Sequence, residues 1–418
     1  MNKKLLLALL AVVGIAIAGV GGYYAYTYLK DKPPHFLIKI VTATKPPPPL
    51  PVGDAAPLTV PDGFSATIFS RDVPGARVMT RDSKGTMLVS ETLEGTVGKV
   101  VALPDANGDG KADSVVTVLE NLNQPHGISV MCAASGNPPC TLYVAETGSL
   151  KAYAYDPEKM TATSPRELVT FPTGSGHFTR TLLPSKDGKG LFISIGSSCN
   201  VCIESNPLRA TIQYLNLTTN TMTTYAKGLR NSVFMAWNPL DGLLWATDNG
   251  RDVIGDDIPP DDLNVIRQGG DYGWPLCYGQ NVHDTDFDKK QYIQDPCANK
   301  TPSHIELPAH SAALGLAFVP EEGWPDGWGN DVLVAFHGSW NRSVPAGYKV
   351  VRIHLDAKGN QVGSIQDFVA GFLPAGAKGT SDAIGRPVGL MAEPGGVVYI
   401  SDDRAGAIYR ISLNQPPR

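Results

Sequence analysis

The chain has 418 residues, of which 44 are Gly and 34 are Pro, and only 18% are charged. This turn-rich, charge-poor composition argues against long helices and for a large all-β fold. A net charge of −5 gives no reason to expect nucleic-acid binding.

The first segment is hydrophobic. After "MNKK", Leu5 to Leu29 carry no charge. A helix needs about 20 apolar residues to span a bilayer, so this run suffices. Lys3 and Lys4 favour an N-terminus on the inner side. A cleaved signal peptide ending at Ala16-Ile17-Ala18 is the alternative. Either reading exports the rest of the chain. The expected location is the periplasm or cell envelope, with residues 1–30 as an inner-membrane anchor. "KPPPPLPVGDAAP", Lys45 to Pro57, closes an extended proline-rich linker over 31–57. The folded domain is expected over 58–418.

That domain repeats itself. "MLVSET", "LYVAET", "LFISIG", "LLWATD", "VLVAFH" and "VYISDD" each place apolar residues before Ala or Ser and then polar residues. They recur at intervals of about 50 residues, with one longer interval. Each is short and rich in β-formers. A β-like segment ending in a turn precedes most of them, and a third strand follows. Six such units predict a six-bladed β-propeller of four-stranded antiparallel blades behind an N-terminal hydrophobic helix. "FSATIFS" is expected to supply the outer strand of the last blade. The long interval predicts an insertion over roughly 251–310. A pair of β-sandwiches is the structural alternative, but it does not account for six copies.

The six cysteines fall into local pairs, Cys132/Cys140, Cys199/Cys202 and Cys277/Cys297. In an exported chain they read as disulfides. Ile203 follows the C-x-x-C, so it is no haem attachment site. No second C-x-x-C is present to complete a zinc site. A redox-active pair is the alternative to a staple.

In a propeller, residues just before each inner strand crowd one mouth of the central channel. Here they are Arg77, His126, His177, Arg230 with Asn231, His310 and Arg386. Converging cations and imidazoles suit a small, planar polyanion. Loops on the same mouth carry Gly250, Trp340, Arg342 and "DDRAG". Trp340 would stack on a flat ligand or pack the rim. Gly250 would let backbone carbonyls approach a ligand or Ca²⁺.

"GLRNSVFMAWNPLDGLLWATDNGRD", "GGDYGWP", "HFTRTLLPSKDGKGLFISIG", "FHGSWNR" and "GRPVGLMAEPGGVVYISDD" resemble the quinoprotein sugar dehydrogenases of the soluble glucose dehydrogenase and sorbosone dehydrogenase group. The resemblance runs from about Leu58 to Leu413. It implies a six-bladed propeller binding pyrroloquinoline quinone (PQQ) and Ca²⁺ at the channel mouth. It implies oxidation of a sugar, aldehyde or polyol, with electrons passed to a separate acceptor, a quinone or a cytochrome. By motif, His177 matches the general base. Arg230 and Asn231 match a cofactor-binding pair, Arg230 also counting among the catalytic residues. Arg386 matches another cofactor-binding Arg, and Gln124 and His126 lie where the family presents a Gln. Gly250 and Arg251 lie where backbone carbonyls hold the Ca²⁺.

The sequence departs from that pattern. Ser197 and Ser198 stand where glucose-oxidising members place an Asp that orients the base. Arg251 replaces a Pro. The cofactor-contacting Lys has no counterpart except Arg342. Two other readings remain for the propeller: a Ca²⁺-dependent lactonase-like hydrolase, or a non-catalytic envelope binding protein. Separately, "DANGDGKAD" sets Asp105, Asn107, Asp109 and Asp113 at EF-hand-like spacing with Gly110 at the turn. Val116 fills the place of the bidentate Glu. A structural Ca²⁺ is expected there, with a polar hairpin loop as the alternative.

Overall fold

The computed structural model describes residues 46–132, 139–290 and 292–414. The hydrophobic helix expected within 1–30 lies outside them. Among the described residues, six sheets form the six blades. Their inner strands are Ala76–Arg81, Gly127–Cys132, Leu182–Pro184, Met235–Trp237, Ala313–Phe318 and Pro387–Glu393. Each leads outward through antiparallel neighbours in chain order. Blade six takes its outer strand, Phe64–Ser70, from the start of the domain, paired with Ala407–Leu413. The ring is thus closed by sequence-distant strands, as "FSATIFS" suggested.

The repeated strands are buried on both faces, and alternation sends successive side chains to different neighbours. In blade three, Leu191, Ile193 and Ile195 pack towards blade two. Phe192, between them, packs towards blade four. The recurring small residue also has a reason. The inner strands of blades one and six are bulged, and a bulge leaves a backbone group outside the ladder. Ser90 Oγ accepts from Val78 N at 3.0 Å, and Ser401 Oγ accepts from Gly389 N at 2.8 Å. Around the axis the inner strands approach backbone to backbone. A Cβ at Gly127 would lie 2.3 Å from the Arg180 carbonyl oxygen, and one at Gly389 would lie 2.3 Å from that of Arg77.

Two boundaries differ from the sequence reading. The compact unit begins at Pro47, because Ala55 bridges to Thr67 and Leu50, Ala56 and Leu58 pack on the last blades. The long interval is not one inserted block. It contains blade four's own third and fourth strands, Asp261–Ile266 and Ile305–Leu307. The added residues lie mainly between them and include a ribbon, Cys277–Tyr278 with Val282–His283. They also give blade three a short fifth strand, Gly270–Asp271, in parallel with Thr221–Lys227.

All three expected disulfides are formed: Cys132–Cys140, Cys199–Cys202 and Cys277–Cys297. Two of them are core staples, which spacing alone did not show. Cys132 and Cys140 face each other across the first two strands of blade two, and Cys140 is buried in the central hydrophobic cluster. Cys297 is fully buried and ties the chain after the ribbon back to Cys277, which is buried as well. Cys140 and Cys297 are therefore structural residues and have no free thiol to offer a ligand.

Candidate active site

His177 lies in the loop before the inner strand of blade three. Its Nδ1 is 3.1 Å from the Ser197 carbonyl oxygen and 3.0 Å from Ser197 Oγ. A carbonyl oxygen only accepts, so Nδ1 carries the proton and Nε2 the lone pair. Ser197 Oγ donates in turn to the Cys199 carbonyl at 2.6 Å. The serine therefore contacts the imidazole at the position where the sequence departs from the Asp of the glucose-oxidising members it resembles. Gly196 makes this packing possible, because an added Cβ would meet Asn231 Oδ1 at 2.5 Å and His177 Cβ at 2.6 Å. The His177 carbonyl is held from behind by Arg180 Nη1 and Arg209 Nη1, each at 3.0 Å. Both arginines are buried. Burial, then the Arg209 charge, brings the Arg180 guanidinium down to about 9.

Arg230 and Asn231 precede the inner strand of blade four. Their backbone N–H groups donate to Asp248 at 3.0 and 2.6 Å. Burial nevertheless pushes the Asp248 carboxyl up to about 7 against these bonds. The Arg230 side chain is only 4% exposed, and each of its five N–H donors has an acceptor. Nε donates to the Asn200 carbonyl, and Nη1 to the carbonyls of Asn249 and Gly250. Nη2 donates to Asn200 Oδ1 and Asp252 Oδ2. Asp252 also accepts from Asn341 Nδ2, which contacts His310 Nδ1. The "FHGSWNR" loop is thereby tied to Arg230.

Across the mouth, Arg77 Nη1 and His337 Nε2 share Asp403, at 2.8 and 2.9 Å. Burial and the Arg386 charge push the His337 imidazole down to about 4, with Asp403 opposing. Burial would raise Asp403, but His337, Arg77 and Arg386 hold it well below the usual carboxylate range. Arg386 donates from Nε to the His337 carbonyl and from Nη2 to the Gly338 carbonyl. Its guanidinium carbon sits 5.6 Å from the centre of the Tyr348 ring.

The remaining expected residues are placed variously. Gln124 is half-buried, and its Oε1 accepts from Thr147. His126 is fully buried below the mouth, between Phe178 and Phe234, so it is a channel histidine. Trp340 is 36% exposed on the rim. Arg342 Nη1 binds the Asp256 and Ala309 carbonyls, and Nη2 binds Asp257, so this side chain clamps the loop over 255–258. The Arg251 side chain pairs with Asp284 at 2.7 Å. A cavity of ≈ 20 Å³ beside Gly250 and Arg251 is lined also by Asp248, Asn249 and Asp284. That is room for about one water or small ion. Cys277, bridged to Cys297, forms part of the wall of this cavity. A larger cavity, ≈ 770 Å³, lies at the opposite ends of the inner strands of blades four to six.

The Asp105–Asp113 loop joins the third and fourth strands of blade one, at the end of the blade away from the mouth. Its carboxylates turn inward. Asp105 accepts from Asp109 N and Gly110 N, Asn107 from Asp109 N, and Asp113 from Ala106 N.

A family model described as TrAA12-like matches residues 58–414. The chain belongs to this family. It is 29% identical over 372 residues to the PQQ-dependent pyranose dehydrogenase of Coprinopsis cinerea, covering 75% of this chain and 49% of that protein. The holo PQQ domain of the Coprinopsis cinerea pyranose dehydrogenase is similar in structure, with TM-score 0.70 and 25% identity over 87% of this chain and 98% of that one. The calcium structure of the family AA12 protein of Trichoderma reesei has the same fold, with TM-score 0.73 and 24% identity over 88% and 99% of the two chains. The chain spans about half the length of the curated relatives it matches.

Within this TrAA12-like chain, the sequence reading missed Arg180, Arg209, Asn200, Asp252, Asn341, His337 and Asp403. Six of them lie inside stretches that stood out in the sequence: Asn200 in the C-x-x-C, His337 and Asn341 in "FHGSWNR", Arg180 in "HFTRT", Asp252 in "DNGRD" and Asp403 in "DDRAG". Only Arg209 lies outside them, and none of the six signalled its partner.

Proposed function

We propose that the protein is a PQQ- and Ca²⁺-dependent dehydrogenase that oxidises an aldose, sugar aldehyde or polyol and hands the electrons to a separate quinone or cytochrome. The family membership and the PQQ-dependent relatives support the reaction class. The observation that carries the reading is the His177–Ser197 contact, which orients an imidazole at a mouth framed by arginines.

The residues fit such a cofactor. Buried Arg77 Nε has no hydrogen-bond partner among the described residues, and Arg386 has donors left over. Both are placed to meet carboxylates. The carbonyls of Asn249 and Gly250 converge on one side of Arg230 and, with Arg251, offer the oxygen chemistry that Ca²⁺ prefers. Bound PQQ and Ca²⁺ would supply a polarised two-electron acceptor.

The chain's own part is proton transfer and orientation. His177 Nε2 takes the proton of the substrate hydroxyl. The Nδ1–H bond to Ser197 then stabilises the imidazolium that forms. Arg180 and Arg209 keep the His177 backbone from moving away. Residues 1–30 would tether this domain to the outer face of the inner membrane, and the Asp105–Asp113 loop would hold a structural Ca²⁺.

The test is a spectral titration of the purified protein with PQQ and Ca²⁺, followed by dye reduction across sugars, sugar aldehydes and polyols. Saturable PQQ binding with turnover is expected. Lactone hydrolysis without PQQ, or no PQQ binding at all, would overturn the reading.

A further inference from the structure

The C-x-x-C disulfide does more than close a surface loop. Asn200 stands inside it, and four bonds tie its polar groups to the cofactor-facing loop of blade four. Its carbonyl accepts from Arg230 Nε at 2.9 Å. Its Oδ1 accepts from Arg230 Nη2 at 2.9 Å and from Asp252 N at 2.7 Å. Its Nδ2 donates to the Asp252 carbonyl at 3.0 Å. One residue therefore fixes both partners of the Arg230–Asp252 ion pair, which is 4% and 13% exposed on its two sides. Arg230 in turn fixes the Gly250 carbonyl at 2.9 Å.

The other end of the same turn reaches the base. Cys199 accepts the Ser197 hydroxyl that meets His177 Nδ1. Glu204 accepts from Ser198 N at 2.6 Å and from Ser198 Oγ at 2.7 Å, which closes the turn from outside. The disulfide joins Cys199 to Cys202 directly across Asn200 and Val201.

We propose that Asn200 is a positioning residue, and that the Cys199–Cys202 bridge holds it so that one turn sets both the His177 base and the Arg230–Gly250 loop. This rests on the PQQ reading for its catalytic consequence, though not for its structural one. Three of the four bonds use the amide group and only one uses the backbone, so removing the amide unties Asp252 and half of the Arg230 clamp. An amide shared with a charged group is among the stronger protein hydrogen bonds.

Two measurements test it. In apo protein, Asn200→Ala is expected to raise hydrogen exchange at least tenfold in the peptide over 249–252, since the Asp252 amide loses its acceptor. With PQQ, the same variant is expected to weaken apparent PQQ affinity and lower kcat, each at least tenfold, while KM for the sugar stays within about twofold. Asn200→Asp, which keeps an Oδ1 acceptor for Arg230 Nη2 and Asp252 N and loses only the Nδ2 donor, should restore most of the PQQ affinity. Cys199→Ser with Cys202→Ser should show the same exchange and affinity changes, and adding Asn200→Ala to it should add little.

Unchanged exchange over 249–252 in Asn200→Ala would overturn the proposal, as would full additivity with the cysteine variants. A wild-type protein that fails to bind PQQ yet shows the exchange pattern would sink the functional reading while leaving Asn200 in its positioning role.

Discussion

Gly196→Ala tests the geometry of the base most directly. The added Cβ would stand 2.6 Å from His177 Cβ and 2.5 Å from Asn231 Oδ1, where ordinary contact begins at 3.4 Å. At least 0.8 Å must therefore be taken up by one neighbour. Both neighbours are braced. The His177 carbonyl is pinned by two guanidinium groups, and Asn231 is bonded to Thr179 and Asn249. Rotation about the His177 Cα–Cβ bond leaves Cβ in place, so relief takes a shift of the backbone at His177 or Gly196, and either shift moves the imidazole relative to Ser197. A misplacement of roughly 1 Å costs on the order of 10²-fold in rate. Overpacking of this kind costs roughly 1–3 kcal/mol. Spread over a domain of roughly 370 residues, that lowers Tm by only about 1–4 °C. Steady-state dye reduction at saturating sugar and PQQ gives kcat, and calorimetry gives Tm. The expected result is kcat about a hundredfold lower in a folded protein. A kcat within about threefold of wild type would show that Nε2 need not sit where this packing holds it.

Other variants separate chemistry from stability. His177→Gln should fold normally, bind PQQ and lose roughly 10²–10⁴-fold in kcat. Asp403→Asn leaves buried Arg77 without its carboxylate, at roughly 3–5 kcal/mol. Calorimetry should show that loss, and Arg77→Met in the same chain should recover most of it. His337 titrates near 4 in the folded protein, against about 6.5 when unfolded. The folded value is the lower one, so its contribution is full above about pH 6.5 and is lost as pH falls towards 4. The largest difference is roughly 3 kcal/mol. Denaturant unfolding from pH 7 to pH 4 should fall more steeply for wild type than for His337→Gln, and parallel curves would refute the assignment.

The blades were legible because each strand carries its own signal: a run of β-formers, a small residue and a turn. Blade four was harder. Its third strand starts with Asp261, buried, and Asp262, half-buried, a pair that reads as loop. Asp261 is buried because it accepts from Gly250 N, Ser311 and Ala313 N, groups from two other loops. The cysteine pairs were legible from their spacing, but the burial of Cys140 and Cys297 was not, because it depends on which strands pack over them. His126 was misplaced by one layer. It directly precedes the strand start, and its N–H already joins the ladder to Ala145, so its ring points between Phe178 and Phe234 and not into the mouth. The deeper difficulty is that sequence displays a charge without displaying its partner. Asn200, Asp252 and Asn341 come from three separate loops, and only folding shows that the first two meet at Arg230 and that Asn341 braces Asp252.

That difference divides the arginines by role. Arg230 has every N–H matched by protein acceptors, so a carboxylate can reach it only by sharing or displacing a bond. Arg386 uses Nε and Nη2 on backbone carbonyls, and its Nη1 has no hydrogen-bond partner among the described residues. An incoming carboxylate meets Arg386 without breaking anything, and a charge-assisted bond of that kind contributes roughly 1.5–3 kcal/mol. Arg386→Met should therefore weaken PQQ binding by roughly tenfold to a hundredfold with little change in Tm. Arg230→Met should act the other way round. It leaves Asp252, which is 13% exposed, without its guanidinium, and costs the fold roughly 3–5 kcal/mol. Fluorescence titration with PQQ and calorimetry on the two variants distinguish the roles. If Arg230→Met kept its Tm while Arg386→Met lost it, the clamp and the anchor would have to be exchanged.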